Sequence, residues 1–292
     1  MSNDVATIVI NGLVNGCIYA LIGVGFVVIF RATGVVSFAQ GAFMVLGAEI
    51  FASLVNDGLS TGPAAILAAG GAFIFGGLVY WLAFSRLTGA EAFITSVATV
   101  GLGILVEAGV LLIWGPAIIV IPQLFSYQVH HLVGQLGFSN IDLFAMAVTV
   151  VVFAVVLFGL HRTPVGLRMR AVANNPRLAV FTGVNVLITS TLAWAIAGLT
   201  AALAGIVYLV GTQPDPGSIY ALGLAAFPAI LLGGFDSIPG TLVGGIIIGL
   251  VQATVAVYVG GAWQDVVAYG VLLAVLLLRP QGMFGSPQVA RL

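Results

Sequence analysis

The chain has 292 residues, 61% of them hydrophobic and only 6% charged, with a formal net charge of -1. Soluble domains average roughly 45–50% apolar and about 25% charged residues, so a water-clothed globular protein is excluded. Continuous apolar runs such as VVFAVVLFGL also exclude a lipid-facing barrel, whose strands alternate in polarity. The expected fold is an all-α polytopic membrane protein with about eight to nine transmembrane helices, some broken or re-entrant.

In chain order, apolar runs and turn signals predict spans at 8–30, 35–55, 62–84, 92–114, 141–160, 186–211, 219–232, 240–259 and 264–278. No basic residue precedes the first run, so it is expected to be a true span rather than a removed leader. The single cysteine, Cys17, permits no internal disulfide and reads as a small packing residue. Segment 115–140, with two prolines, His130 and His131, reads as a loop along the membrane surface. The seventh span is short and contains Pro228, which marks a broken or re-entrant segment.

Cytoplasmic loops carry the arginine excess of membrane proteins. With the N-terminus outside, all eight arginines (Arg31, Arg86, Arg162, Arg168, Arg170, Arg177, Arg279 and Arg291) fall on inside segments. Asp4, Asp57, Asp142, Asp215 and Asp265 fall outside. Small residues recur four apart at Gly12/Gly16, Gly240/Gly244, Gly245/Gly249 and Ala197/Ala201/Gly205, a spacing that lets helices approach closely in lipid.

No catalytic or metal-ligating constellation is expected from these residues. The sequence contains no lysine, so it cannot supply the phosphate-binding lysine of a nucleotide-binding loop. Two carboxylates, Glu49 and Glu107, lie within predicted spans, where an acid faces a cavity, pairs with a neighbouring helix or is protonated. Neutral polar residues gather at Ser37–Gln40 and at Thr95, Ser96 and Thr99. Gly34 and Gly41 permit a broken helix there with free amides facing a solute path, and interhelical hydrogen bonding is the alternative. The pathway candidates are Ser37, Gln40, Ser96, Thr99 and Glu107.

Half of the arginines lie in HRTPVGLRMRAVANNPRLAVFTGVN, residues 161–185. Thr163-Pro164 and Asn175-Pro176 each read as a cap followed by proline in the first helical turn. Two short helices follow, from 164 to about 173 and from 176 to about 182, the second closed by Gly183. Leu178 and Phe181 share one face of the second. Basic residues alone would attract anionic lipid. Capping and an apolar face point instead to docking of a soluble partner on Arg168, Arg170, Asn174, Asn175, Pro176, Arg177, Leu178, Phe181 and Gly183.

Five stretches carry a resemblance to the permease subunits of high-affinity branched-chain amino acid ABC importers, the LivH type. In order they are NGLVNGCIYALIGVGFVVIFRATGVVSFAQGAFMVLGA, GLRMRAVANNPRLAVFTGVN, AGLTAALAGIVY, LLGGFDSIPGTLVGGIIIGLVQA and RPQGMFG. The resemblance covers nearly the whole chain. It implies a single permease domain, 1–292, with a coupling loop at about 161–185, in the bacterial inner membrane. It further implies a second homologous permease subunit, two cytoplasmic ATPases that bind ATP and Mg, and a periplasmic substrate-binding protein. No cofactor is expected on this chain, and no nucleic-acid partner. Gln40 departs from the family pattern, which commonly has His in that element. Close relatives are assigned to urea and short amides, so the amino acid substrate is what the resemblance implies; a self-sufficient channel or ion-coupled carrier for a small polar solute such as urea or an amide stands as the alternative.

Overall fold

The computed structural model describes residues 2–124, 129–133, 136–279 and 281–285, so Arg291 lies outside the described residues. Long apolar sequences become helices here because a helix satisfies its own backbone hydrogen bonds where no water is available. The elements are α1 (Ser2–Thr33), α2 (Gln40–Asn56), α3 (Thr61–Leu82), α4 (Ala92–Trp114), α5 (Asn140–Arg162), α6 (Pro164–Asn174), α7 (Pro176–Phe181), α8 (Val186–Thr212), α9 (Pro216–Ala225), α10 (Phe227–Gly233), α11 (Ile238–Tyr258) and α12 (Gln264–Leu278). Among the described residues, eight apolar segments are long enough to cross a membrane, and α2, with 17 residues, is a shorter ninth. The protein is therefore an all-α multi-pass membrane protein.

Each predicted span coincides with a helix or helix pair, with one late start, one break where a break is expected, and one hairpin in a predicted loop. The second span begins late: α1 ends at Thr33, Gly34 takes a left-handed φ of 70°, and helix resumes only at Gln40. The seventh is broken, α9 giving way to α10 at a turn centred on Ala226, because Pro228 lacks the N–H that would continue the ladder. Within the predicted surface loop 115–140, β1 (Val129–Val133) and β2 (Leu136–Ser139) pair as an antiparallel hairpin, Val129 opposite Ser139. The β-branched and aromatic residues of this segment favour the extended pairing.

The chain divides into two compact units. The first lies within Met1–Gly23, Phe125–Val151 and Ala225–Leu292. There the expected glycine faces meet: a Cβ at Gly16 would come within 2.8 Å of Ile246 Cα, and one at Gly245 within 2.6 Å of the Gly16 carbonyl. Such contact replaces side-chain packing with backbone packing, the means by which helices associate in lipid. A polar chain runs through the same unit from buried Tyr19, which donates to Gln252 Oε1 at 2.7 Å, to exposed Asp265, which accepts from Gln252 Nε2 at 3.2 Å.

The second unit comprises Val24–Leu124 and Val152–Leu224. Its core is α8 against α2 and α3. Gly205 abuts the Met44 carbonyl and Gly76 the Trp194 carbonyl. Around the buried Trp194 ring stand Phe84 at 4.5 Å, Tyr80 at 5.8 Å and Phe43 at 6.4 Å, centroid to centroid. The segment after α4 is tied down by hydrogen bonds: Asn56 Nδ2 donates to the Val120 carbonyl at 3.0 Å and Gln213 Nε2 to the Ile121 carbonyl at 3.2 Å.

Candidate functional site

Two regions of the second unit gather the residues singled out by sequence. The first is the loop joining α5 to α8. Helix α6 starts at Pro164, as expected, but Thr163 does not cap it. The Thr163 hydroxyl turns back to the Gly159 carbonyl instead, a habit of threonines that follow a helix. Gly166 rests against the Leu160 carbonyl so closely that any Cβ would collide. The turn from α5 into α6 is therefore as tight as a backbone permits.

Asn175 does cap α7: its side chain accepts the Leu178 N–H at 3.1 Å, and Pro176 occupies the first turn. Gly183 takes φ 80°, and the Val184 N–H reaches the Ala179 carbonyl at 3.0 Å. That pair of features is a Schellman closure, which satisfies the last carbonyls of a helix. Both predicted helix ends fall within one residue of their observed places, 173 against Asn174 and 182 against Phe181.

Burial then separates anchors from presented side chains. Gly166, Met169, Val172 and Ala179 face inward. Arg168, Arg170, Asn174, Pro176 and Arg177 are exposed, and Leu178 and Phe181 are 60% and 87% exposed. Three short loops of hydrogen bonding thus hold an apolar pair and three guanidinium groups outward. A large aromatic held in water costs free energy unless a partner covers it.

The second region surrounds the helix break between α1 and α2. Non-helical backbone at membrane depth must find partners for its freed amides. Here side chains supply them. Thr99 Oγ1 accepts the Phe38 N–H at 2.8 Å and itself donates to the Ser96 carbonyl at 2.6 Å. Ser37 Oγ accepts the Ala39 N–H at 3.4 Å, and Thr33 Oγ1 accepts the Val35 N–H at 3.3 Å. Gln40 Nε2 donates to the Ala197 carbonyl at 3.1 Å, in space that Gly25 leaves by having no side chain. Its Oε1 is buried and unpartnered.

The structure sets Thr99 against the break that holds Ser37 and Gln40, with Ser96 about one turn before Thr99 on α4. Thr99, Gly103 and Glu107 follow at helical spacing on one face of α4. Ser37, Gln40 and Thr99 are buried, whereas Ser96 and Glu107 are half-buried. Glu49 is buried on α2.

Sequence reasoning missed Tyr220. Its hydroxyl would lie 2.9 Å from a Cβ built on Gly103, and its carbonyl 2.5 Å from one on Gly41. A Cβ on Gly223 would in turn strike Gly41 Cα. Glycines at all three positions let α9 pass within backbone contact of the break. A lone tyrosine in an apolar run carries no signal of this, because the contact joins helices far apart in sequence. Just before α9, Asp215 receives the Ser218 hydroxyl at 2.5 Å and the Ser218 N–H at 3.0 Å, which hold its carboxyl below the usual range.

Residues 8–276 match the family described as branched-chain amino acid transport system / permease component. The chain is 31% identical to the high-affinity branched-chain amino acid transport system permease protein BraD of Pseudomonas aeruginosa, over 97% of this chain and 96% of that protein. It is 30% identical to the permease protein LivH of the corresponding system in Escherichia coli, over 96% of each. A shorter match, 34% identity over 46% of this chain, relates it to the ribose import permease protein RbsC of Bacillus subtilis. No solved structure matches the chain. From its membrane helices and these matches along nearly its whole length, the chain belongs to the family of branched-chain amino acid transport system permease components.

Proposed function

We propose that the chain is the permease subunit of an ATP-binding cassette importer in the bacterial inner membrane, carrying branched-chain amino acids or a related small polar solute. It acts as one permease domain, 1–292, paired with a second homologous permease. A periplasmic binding protein delivers the solute, and two cytoplasmic ATPases, holding ATP and Mg, power the cycle. The solute path runs by the polar cluster of Ser37, Gln40, Ser96, Thr99 and Glu107, now joined by Tyr220.

The observation that carries this reading is the presentation of Leu178 and Phe181 beside Arg168, Arg170 and Arg177 on a doubly capped element. Lipid attraction needs only charge; a protein groove needs a shaped apolar anchor with a polar rim, which is the composition of interface hot spots. The lack of a lysine for a phosphate-binding loop supports nucleotide hydrolysis by a partner, and the names of the relatives support the substrate class.

The test is solute uptake into proteoliposomes holding the permease pair, the ATPases and the binding protein, against the same vesicles without ATPases. ATP-dependent uptake that vanishes with the ATPases is expected. Equal uptake by the purified chain alone would replace this reading with a channel or ion-coupled carrier.

A further inference from the structure

Within the second unit, α3 and α8 flank an open groove of about 490 Å³ that no step of the proposed cycle uses. Gly77 and Ala195, both buried, belong to its lining, and Ile74, Leu78 and Trp81 of α3 and Ile188 of α8 stand exposed along it. Its volume lies within the roughly 300–1,000 Å³ of ligand clefts. Position 77 leaves room for it: a Cβ there would meet the Ala195 Cβ and the Thr191 methyl at 3.5 Å, ordinary contact rather than collision.

The lining offers hydrocarbon. No charged side chain borders the groove, and the hydroxyl of Thr191 is buried. Both flanking helices are apolar spans, so the groove lies at membrane depth, where acyl chains are the solvent. One end carries a different chemistry. Trp81 is the penultimate residue of α3, and the chain then folds into a single turn, Phe84–Leu87. Ser85 Oγ donates to the Trp81 carbonyl at 2.6 Å, and the Phe84 ring packs on Trp194, which together hold this turn against the end of α3. From the turn Arg86 stands exposed, with no hydrogen-bond or ion-pair partner among the described residues. A tryptophan followed closely by an arginine marks the membrane–water interface, with the indole at headgroup level and the cation drawn to anionic lipid.

We propose that this groove seats one acyl chain of an anionic phospholipid whose headgroup meets Arg86. A partner's apolar helix would cover the same walls but leave the guanidinium without a counter-charge; an anionic lipid matches both the apolar groove and the cation at its end. The seated chain packs against α3 and the first turns of α8. Neither the transported solute nor the ATPases enter this inference.

The probe is phosphatidylglycerol with brominated acyl chains, which quench a tryptophan they touch, compared with brominated phosphatidylcholine. The full chain is held in mixed liposomes with W114F, W194F and W263F, so that emission reports Trp81 alone. Phosphatidylglycerol should be favoured at Trp81 about fivefold, the worth of one arginine near a charged surface. Arg86→Gln should bring that ratio to about one, with quenching by both lipids retained. Gly77→Leu fills the groove and should abolish the preference although Arg86 is kept. A preference that survives Gly77→Leu would mean diffuse surface attraction and overturn the site. Equal quenching by the two lipids in the chain that keeps Arg86 and Gly77 would overturn the headgroup assignment, and quenching by neither would mean that protein covers the groove. Intact-protein mass spectrometry of lipid retained by chains with all four tryptophans repeats the comparison without those replacements. Retained phosphatidylglycerol should fall in both Arg86→Gln and Gly77→Leu, and retention unchanged in both would overturn the proposal.

Discussion

The loop between α5 and α8 and the break between α1 and α2 use the same devices to opposite ends. Both interrupt helices with glycine at positive φ, and both bind freed amides with short polar side chains. In the loop, the bonds are local, spanning three to five residues, and the Leu178 and Phe181 side chains point out. In the break, Thr99 reaches Phe38 across 61 residues and Gln40 reaches Ala197 across 157, and nearly everything points in. Local capping builds an element that stands without its surroundings and can be offered to a partner. Long-range capping makes the backbone of one helix depend on the side chains of others. Damage to the loop should therefore cost partnership, and damage to the break should cost stability.

The comparison can be broken most sharply at the apolar pair. Leu178→Glu with Phe181→Glu should abolish ATPase co-purification and uptake with membrane insertion unchanged, since paired hot spots are worth about 2 kcal/mol or more each. Arg168→Glu with Arg170→Glu should also stop uptake, and residual binding of the ATPases should weaken further at low salt, where reversed rim charges are least screened. Full uptake in either variant would refute docking on this loop.

Thr99→Val should act on the other side of the contrast. It strands the Phe38 N–H, so thermal stability should fall by about 1–3 kcal/mol while ATPase co-purification stays at the level of the unaltered chain. Loss of docking at unchanged thermal stability would reverse the assignment of the two regions. The smallest effect is expected from Asn175→Ala, which removes one cap worth about 1 kcal/mol. Amide exchange should rise in α7 alone, with a partial loss of uptake that Asn175→Asp restores.

Legibility in the sequence followed the same line. Pro164, Asn175, Pro176 and Gly183 restrict their own backbone, so the ends of α6 and α7 could be read from neighbours. The crossing of Gly12 and Gly16 with Gly245 and Gly249 was half legible: the spacing announced two smooth faces, but only tertiary packing matched them. Thr163 was misread because its hydroxyl can bond either backward or forward, and sequence does not say which. The polar cluster was visible as composition, whereas Tyr220 was not, since nothing local distinguishes it from a packing residue.

Gly166 has a mechanical consequence. Because the start of α6 bears on the Leu160 carbonyl with no room for even a methyl group, the joint between α5 and α6 has no play. A shove delivered to α6 by a partner moves the end of α5 at once instead of being absorbed by a slack connector. Inserting two glycines between Val165 and Gly166 would add that slack: ATP would still be hydrolysed on a seated loop, and the motor would turn without driving the shaft.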